Sequence, residues 1–293
     1  MILHDKGGDT PPLLLGRNCR LNLDRPLMMG ILNVTPDSFY DGGWYLQSDR
    51  IIQRAGQMVD EGADLIDVGG ESTRPGSTPV SEQQELDRVV PVIEALTARF
   101  ECPVSIDTSK SVVACEAVKA GADFINDISG LTFDSAMTGV VADCGAGLFL
   151  MHTRGRPDQM QKNTEYKDLM RDVLAVLRSG IDKAVAAGVS LDKIAVDPGV
   201  GFGKSIDGNL EILRRLSELQ SLGRPVLLGT SRKSFIGKIL GCANPEGRLY
   251  GSLATIALGV AGGARIFRVH DVAATSDVAR IAWAVKQGSC PDV

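Results

Sequence analysis

Val196-Asp197-Pro198-Gly199-Val200-Gly201-Phe202-Gly203-Lys204-Ser205 is the stretch that decides the fold. Ile194 and Ala195 lead into it, so a short apolar run ends in one carboxylate and then in a bend of proline and alternating glycines. Helical periodicity resumes near Leu210. The pattern predicts a buried strand that delivers Asp197 to its C-terminal tip, with glycines where another group must approach the backbone. Two nucleotide-loop motifs fail here. The phosphate loop needs glycine at 198, which is Pro198, and the dinucleotide motif needs its third glycine at Lys204.

The same unit recurs along the chain. Leu27–Leu32 leads to Asn33, Leu65–Val68 contains Asp67, Val104–Ile106 leads to Asp107, and Asp123–Ile125 leads to Asn126. Leu148–Met151 leads to His152, Pro225–Leu228 to Gly229 and Ser231-Arg232-Lys233-Ser234, and Ala264–Phe267 to Arg268 and His270. Stretches of helical periodicity separate them, one with Ser48 or Asp49 as its cap and one opened by a capping box, Ser81 with Gln84. Eight strand–helix units with apolar rather than alternating strands predict a parallel sheet buried on both faces. The cadence predicts an α/β fold, a single (β/α)8 TIM barrel, which typically takes about 250 residues. The expected domain is the whole chain, 1–293, with an N-terminal hairpin over about 13–23, the barrel over about 27–288, and long loops after strands one and two. An internal echo supports one repeated unit: five residues after Gly62, Gly121 and Gly263 stand Asp67, Asn126 and Arg268.

Composition narrows the function classes. A net charge of −5 gives no reason to expect a nucleic acid or an anionic membrane as partner. The six cysteines form no C-x-x-C pair, and buried free thiols in a reducing compartment are expected, with Cys102, Cys115 and Cys144 beside apolar segments. The first ten residues show no apolar signal core, and no run approaches the roughly eighteen apolar residues of a membrane span. A cytoplasmic location is expected.

In such a barrel the strand C-termini converge on one mouth. Asn33, Asp107, Asn126, His152, Asp197, Lys233, Arg268 and His270 are the polar residues there. Each taken singly reads as a helix cap, a turn or a satisfied core histidine, and Asp67 keeps that structural reading. Taken together they imply a ligand. Two buried carboxylates and a carboxamide match a flat heterocycle with several N–H donors and ring acceptors. Lys233 adds a cation, and Arg268 and His270, two residues apart, offer donors to an anion. The long loops 33–43 and 69–77, with Phe39 and Pro75 as apolar walls, are expected to act as lids.

The chain resembles the dihydropteroate synthases, the folate-pathway enzymes that sulfonamides inhibit. The resemblance runs from about Leu27 to Val285. It rests on Gly30–Phe39, Gly69–Gly76, Ser105–Lys110, Asn126-Asp127, Leu150–His152, Asp197–Lys204, Ser231–Ser234 and Arg268–Asp271. It implies condensation of 6-hydroxymethyl-7,8-dihydropterin diphosphate with 4-aminobenzoate by a dissociative route. By resemblance, Asp107, Asn126, Met151, Asp197, Phe202, Gly229 and Lys233 hold the pterin, and Asn33, Thr73, Arg268 and His270 the diphosphate. Asn33 would bind a Mg²⁺ ion. Phe39, Arg74, Pro75, Phe202, Lys233 and Ser234 would form the 4-aminobenzoate site. The catalytic set is Asp107, Asp197, Lys233, Arg268 and His270. Tyr40 stands where the family has serine, and a homodimer is expected. A methyltetrahydrofolate-dependent methyltransferase is the alternative; it shares the pterin-holding residues but has no need of an anion site. A Schiff-base aldolase using Lys233 is a further rival, weakened by the solvent-near turn in which Lys233 is expected.

Overall fold

The structure, a computed structural model, describes residues 13–35, 44–74 and 76–289. Two short strands, β1 (Leu13–Leu15) and β2 (Arg20–Asn22), pair antiparallel as the expected hairpin. Eight more follow: β3 (Leu27–Asn33), β4 (Leu65–Gly69), β5 (Val104–Asp107), β6 (Phe124–Asp127), β7 (Gly147–Met151), β8 (Ile194–Asp197), β9 (Leu227–Leu228) and β10 (Ile266–Val269). They form one parallel sheet in the order β8-β7-β6-β5-β4-β3-β10-β9. Its two edges meet in a parallel bridge between Val196 and Val226, where the Val196 N–H donates to the Pro225 carbonyl at 2.9 Å. The result is a nearly closed barrel. The seam is short because β9 is short and Pro225 has no N–H to give in return.

Nine helices among the described residues surround the sheet: α1 (Trp44–Asp60), α2 (Glu82–Arg99), α3 (Ser111–Lys119), α4 (Met137–Cys144), α5 (Leu169–Ala186), α6 (Ile206–Arg214), α7 (Ser234–Leu240), α8 (Leu249–Ala261) and α9 (Val272–Gln287). The Ser81/Gln84 capping box opens α2 as expected, each residue's side chain taking the other's backbone N–H. Helix α1 begins before the Ser48 or Asp49 cap read from the sequence, because no helix breaker interrupts the residues from Trp44 onward. The segment after β9 carries two helices, α7 and α8, that the periodicity left unassigned. Gly241, at φ 65°, ends the first of them.

The strands divide their residues by parity. Ile66, Val68, Val104, Ile106, Ile125, Leu148, Leu150, Ile194, Val196, Leu228, Phe267 and Val269 belong to the core shared with the helices. The alternate residues Leu27, Met29, Leu65, Phe124, Phe149, Ala195, Leu227 and Ile266 fill the barrel. Leu14, Leu21 and Leu23 of the hairpin segment join that inner cluster, so the hairpin plugs the N-terminal end. Each such buried side chain contributes about 1.5–3 kcal/mol relative to exposure. Gly147 is required here: a Cβ on it would lie 2.3 Å from Phe124 Cδ1.

Five cysteines are described, all free and all only partly buried, so the expectation of buried thiols is too strong. Cys102 and Cys144 stand at element edges, where solvent reaches them. Among the described residues no helix is long and apolar enough to cross a membrane.

Candidate active site

Two positions along each strand the inward face returns, one layer above the apolar plug. Leu65 is followed by Asp67 and Gly69, Ser105 by Asp107, Phe124 by Asn126, Phe149 by Met151, Ala195 by Asp197, Leu227 by Gly229, and Ile266 by Arg268 and His270. The site is the upper layer of the barrel's own filling. Asn33, Gly69, Asp107 and Asn126 are successive register partners around the wall, and Met151 pairs with Asp197. The strands that exclude water below are thus the ones that aim polar groups above.

Arg268 is the hub. Its Nε donates to Asp67 Oδ2 at 2.5 Å and its Nη2 to Asp107 Oδ2 at 2.6 Å, while Asn126 Nδ2 donates to the same Asp67 oxygen at 3.1 Å. Asp67 is fully buried, and one oxygen of Asp67 and one of Asp107 have no protein partner. A buried unpaired carboxylate oxygen is costly unless a ligand donates to it. Burial pushes the Asp107 carboxyl up to about 7, against the pull of Arg268 and with the neighbouring Asp67 and Glu85 adding to the rise. Asp197 is raised to about 6 by burial, although the Gly199 N–H bonds its Oδ1 at 2.7 Å and Lys233 and Lys204 oppose the shift. Burial also works against the Arg268 charge, but Asp67 and Asp107 outweigh it and hold the guanidinium protonated.

Lys233 does not sit in an open turn as expected. It is half-buried, with its ammonium 4.1 Å from the centre of the Phe202 ring, a cation–π contact. Its stem passes close to Gly201, where a Cβ would lie 3.1 Å from Lys233 Cδ. Burial, with Arg268 adding, lowers its pKa to about 8. Phe202, Met151, Ile128 and Met160 form a small apolar cluster that gives this side of the mouth a flat wall. Gly229 leaves room beside Asp197: a Cβ there would meet Asp197 Oδ2 at 3.9 Å and Arg268 Cβ at 3.8 Å.

The glycine-rich stretch after β8 is held from beneath by Lys204. This lysine is buried, with Nζ 2.8 Å from both the Gly199 and the Phe202 carbonyls and 2.9 Å from His152 Nδ1. Gly199 adopts φ 67°, and a Cβ there would fall 1.9 Å from the His152 carbonyl oxygen, so no other residue fits. Burial drives Lys204 down to about 7 and His152 to about 3, with Lys204 adding to the second shift. His152 is therefore a satisfied structural histidine facing Lys204. His270 is different: its Nδ1 meets Ser231 Oγ at 3.0 Å, and burial, then Arg268, lowers it to about 3.

The remaining expected residues divide. Asn33 faces Asp107 across Gly69, where a Cβ would be 3.8 Å from Asn33 Oδ1 and 3.7 Å from Asp107 Oδ2. Thr73 shares with Asp107, Glu71 and Lys110 a hollow of about 70 Å³ beside the mouth. Arg74 and Ser234 are exposed on loop and helix start. Phe39, Tyr40 and Pro75 lie outside the described residues. Asp67 and Lys204 are the two residues that the sequence left without a role. Parity would have found Asp67, which shares the inward face of Leu65.

This arrangement defines a class: an α/β-barrel enzyme whose mouth brings together carboxylates, a carboxamide, two cations and an apolar wall. Comparison with known proteins narrows it. Residues 29–270 match the family of pterin binding enzymes. The chain is 46% identical over 275 residues to the dihydropteroate synthase of a Synechocystis strain, covering 94% of this chain and 95% of that one. A Clostridium difficile dihydropteroate synthase crystallised in the presence of pteroic acid superposes with a TM-score of 0.85 at 48% identity, covering 89% of this chain and 97% of that one. The Xanthomonas albilineans enzyme solved with 4-aminobenzoic acid gives 0.89 at 44%, covering 94% and 99%. The chain belongs to the dihydropteroate synthase family of pterin binding enzymes.

Proposed function

We infer that this chain is a transferase that condenses 6-hydroxymethyl-7,8-dihydropterin diphosphate with 4-aminobenzoate, giving 7,8-dihydropteroate and diphosphate. One observation carries the reading: Asp107, Asn126, Asp197 and Arg268 meet on a single inward layer, with Lys233 at its edge above Phe202. The unpaired Asp107 oxygen and Asn126 suit ring N–H donors and acceptors, Asp197 suits the exocyclic amino end, and Met151 and Phe202 suit the flat face. The methyltransferase alternative gives no use to Lys233, whose ammonium lies at the mouth over the Phe202 ring.

The residues fit a dissociative step. The bond from the methylene carbon to the diphosphate oxygen breaks, and its electron pair leaves with the diphosphate. Positive charge spreads into the pterin ring beside Asp107 and Asp197. Burial holds both carboxyls well above their usual range, and a neighbouring cation draws them back into the charged form. The amine nitrogen of 4-aminobenzoate then bonds to the methylene carbon and releases a proton. On this reading Arg268 and His270 would serve the leaving group, and Lys233, Phe202, Arg74 and Ser234 the aryl acid.

Magnesium fits as a substrate-borne ion. Asn33 and Asp107 face each other across Gly69 and present oxygen donors of the kind a hard cation takes. Asn33 would hold it, and when bound it would neutralise charge on the departing diphosphate. The exposed apolar residues Tyr250 and Leu258 on α8, and Ile281 and Val285 on α9, lie on two helices packed together and support a homodimer through that face. The free thiols agree with a reducing, cytoplasmic setting.

The test is diphosphate release by the purified protein with pterin diphosphate and 4-aminobenzoate, with and without Mg²⁺. No release with 4-aminobenzoate present would falsify the reading. Light scattering of the wild type against Ile281→Asp tests the dimer, which the variant should split.

A further inference from the structure

We propose that the Arg232–Asp271 ion pair is a positioning clamp that sets Lys233 and His270 relative to each other; the proposal rests on the function given above. Arg232 is one of only two non-glycine residues with positive φ among the described residues, at 57°. An L-residue avoids that region, so its surroundings must hold it there. Here they do so through both its backbone and its side chain. Its N–H donates to Ser252 Oγ at 2.8 Å, and its carbonyl accepts from Arg248 Nη1 at 2.9 Å. Its guanidinium forms two parallel bonds with Asp271, Nε to Oδ2 at 3.0 Å and Nη2 to Oδ1 at 2.6 Å. Such fork-to-carboxylate pairing fixes orientation as well as distance.

None of these contacts touches a reacting group, but each element they join carries one. Arg232 stands between Ser231 and Lys233, and Asp271 follows His270. One residue nearer the mouth the same two loops are joined again: Ser231 Oγ meets His270 Nδ1 at 3.0 Å and accepts the His270 N–H at 3.2 Å. The left-handed turn at Arg232 reverses the chain so that the next side chain runs past Gly201 to lie over Phe202. The loops after β9 and β10 therefore enter the site as one body, with the ion pair behind and the Ser231–His270 contact in front. A lysine at 232 would supply the charge without the fork.

Arg232→Gly tests this. Glycine takes φ 57° freely, so the turn and the fold survive while the fork is lost. The expected result is wild-type melting within a few degrees, with the KM for 4-aminobenzoate raised at least about tenfold because Lys233 and Ser234 drift. The KM for the pterin diphosphate should rise by less, since its ring is held by Asp107, Asn126 and Asp197 on other strands and only its Lys233 and His270 contacts shift. Asp271→Asn should give the same split, and the double variant should be no worse than either alone. A second readout needs no turnover. His270 is one of three histidines in the chain, and its ring NMR signals, assigned with His270→Gln, should shift or broaden in Arg232→Gly while those of His152 stay. If the wild type makes no product, the assigned reaction is wrong and the NMR arm alone judges the clamp. Unchanged His270 signals, or an unchanged KM for 4-aminobenzoate in an active enzyme, would overturn it.

Discussion

Asp67 Oδ2 takes the Arg268 Nε–H at 2.5 Å although the two residues stand 201 positions apart. The same oxygen takes the Asn126 amide, so Asp67 fixes both the guanidinium and the carboxamide that face the ligand. Asp67 is fully buried and Arg268 mostly so, and removing one partner of a buried ion pair typically costs about 3–5 kcal/mol. Asp67→Asn keeps the shape but strips the charge, and we expect a large fall in urea stability together with a fall in kcat/KM. Asp67→Asn with wild-type stability and turnover would reduce Asp67 to filler.

Asp107→Asn and Arg268→Ala address the charge-stabilising roles. Each is expected to lower kcat/KM by roughly 10²–10³, the usual effect of removing one preorganised electrostatic group. Steady-state kinetics at saturating second substrate measures it. Near-wild-type values for both would show that charge at this layer does not act in the reaction.

Activity should depend on pH over a narrow window. Asp107 and Asp197 act ionised, and their raised values of about 7 and about 6 put the acid limb of kcat/KM well above the ordinary carboxylate range. Rate is lost as pH falls through them. Lys233 acts protonated, and its lowered value of about 8 makes rate fall again as pH rises through it. Replacing Lys233 with arginine should remove the alkaline limb and leave the acid one. A flat profile from about pH 5 to about pH 9 contradicts this assignment.

His152 sets an acid-stability prediction. Its folded value of about 3 lies below the ordinary 6.5, so between them the unfolded chain binds a proton that the native one refuses. Its burial as the neutral form therefore costs progressively more stability as pH drops from 6.5 towards 3. His270 contributes the same sign in the same window. Denaturation of His152→Asn at several pH values should show a shallower acid loss, though not a vanished one. An identical slope would mean that His152 is protonated in the folded state.

Much of this was legible in the chain. Eight apolar runs, most of them ending in one polar residue, predict the barrel because a parallel sheet covered on both faces needs mainly apolar strands. Asn126 and Arg268 were visible as polar residues at strand tips, and Asp67, Asn126 and Arg268 as the three positions of the repeat echo. What the echo means was not visible: Arg268 and Asn126 both donate to one carboxylate oxygen of Asp67. Period-two patterning states which face a residue takes, while contact across a barrel depends on how far the sheet coils before it closes.

Asp197 and the glycines after it announced a strand tip and a close approach by themselves, since only backbone geometry is at stake there. Lys204 gave no such sign. A lysine after a glycine turn reads as solvent-facing, and burial becomes tolerable only because the fold brings the Gly199 and Phe202 carbonyls and His152 around its ammonium. The placement of Lys233 over Phe202 and the bidentate hold of Asp271 on Arg232 are of the same kind. The amino-acid order determined the elements, their parity and the chemistry at their ends. The tertiary structure decided which charges share a dielectric, because that depends on distances between residues far apart along the chain.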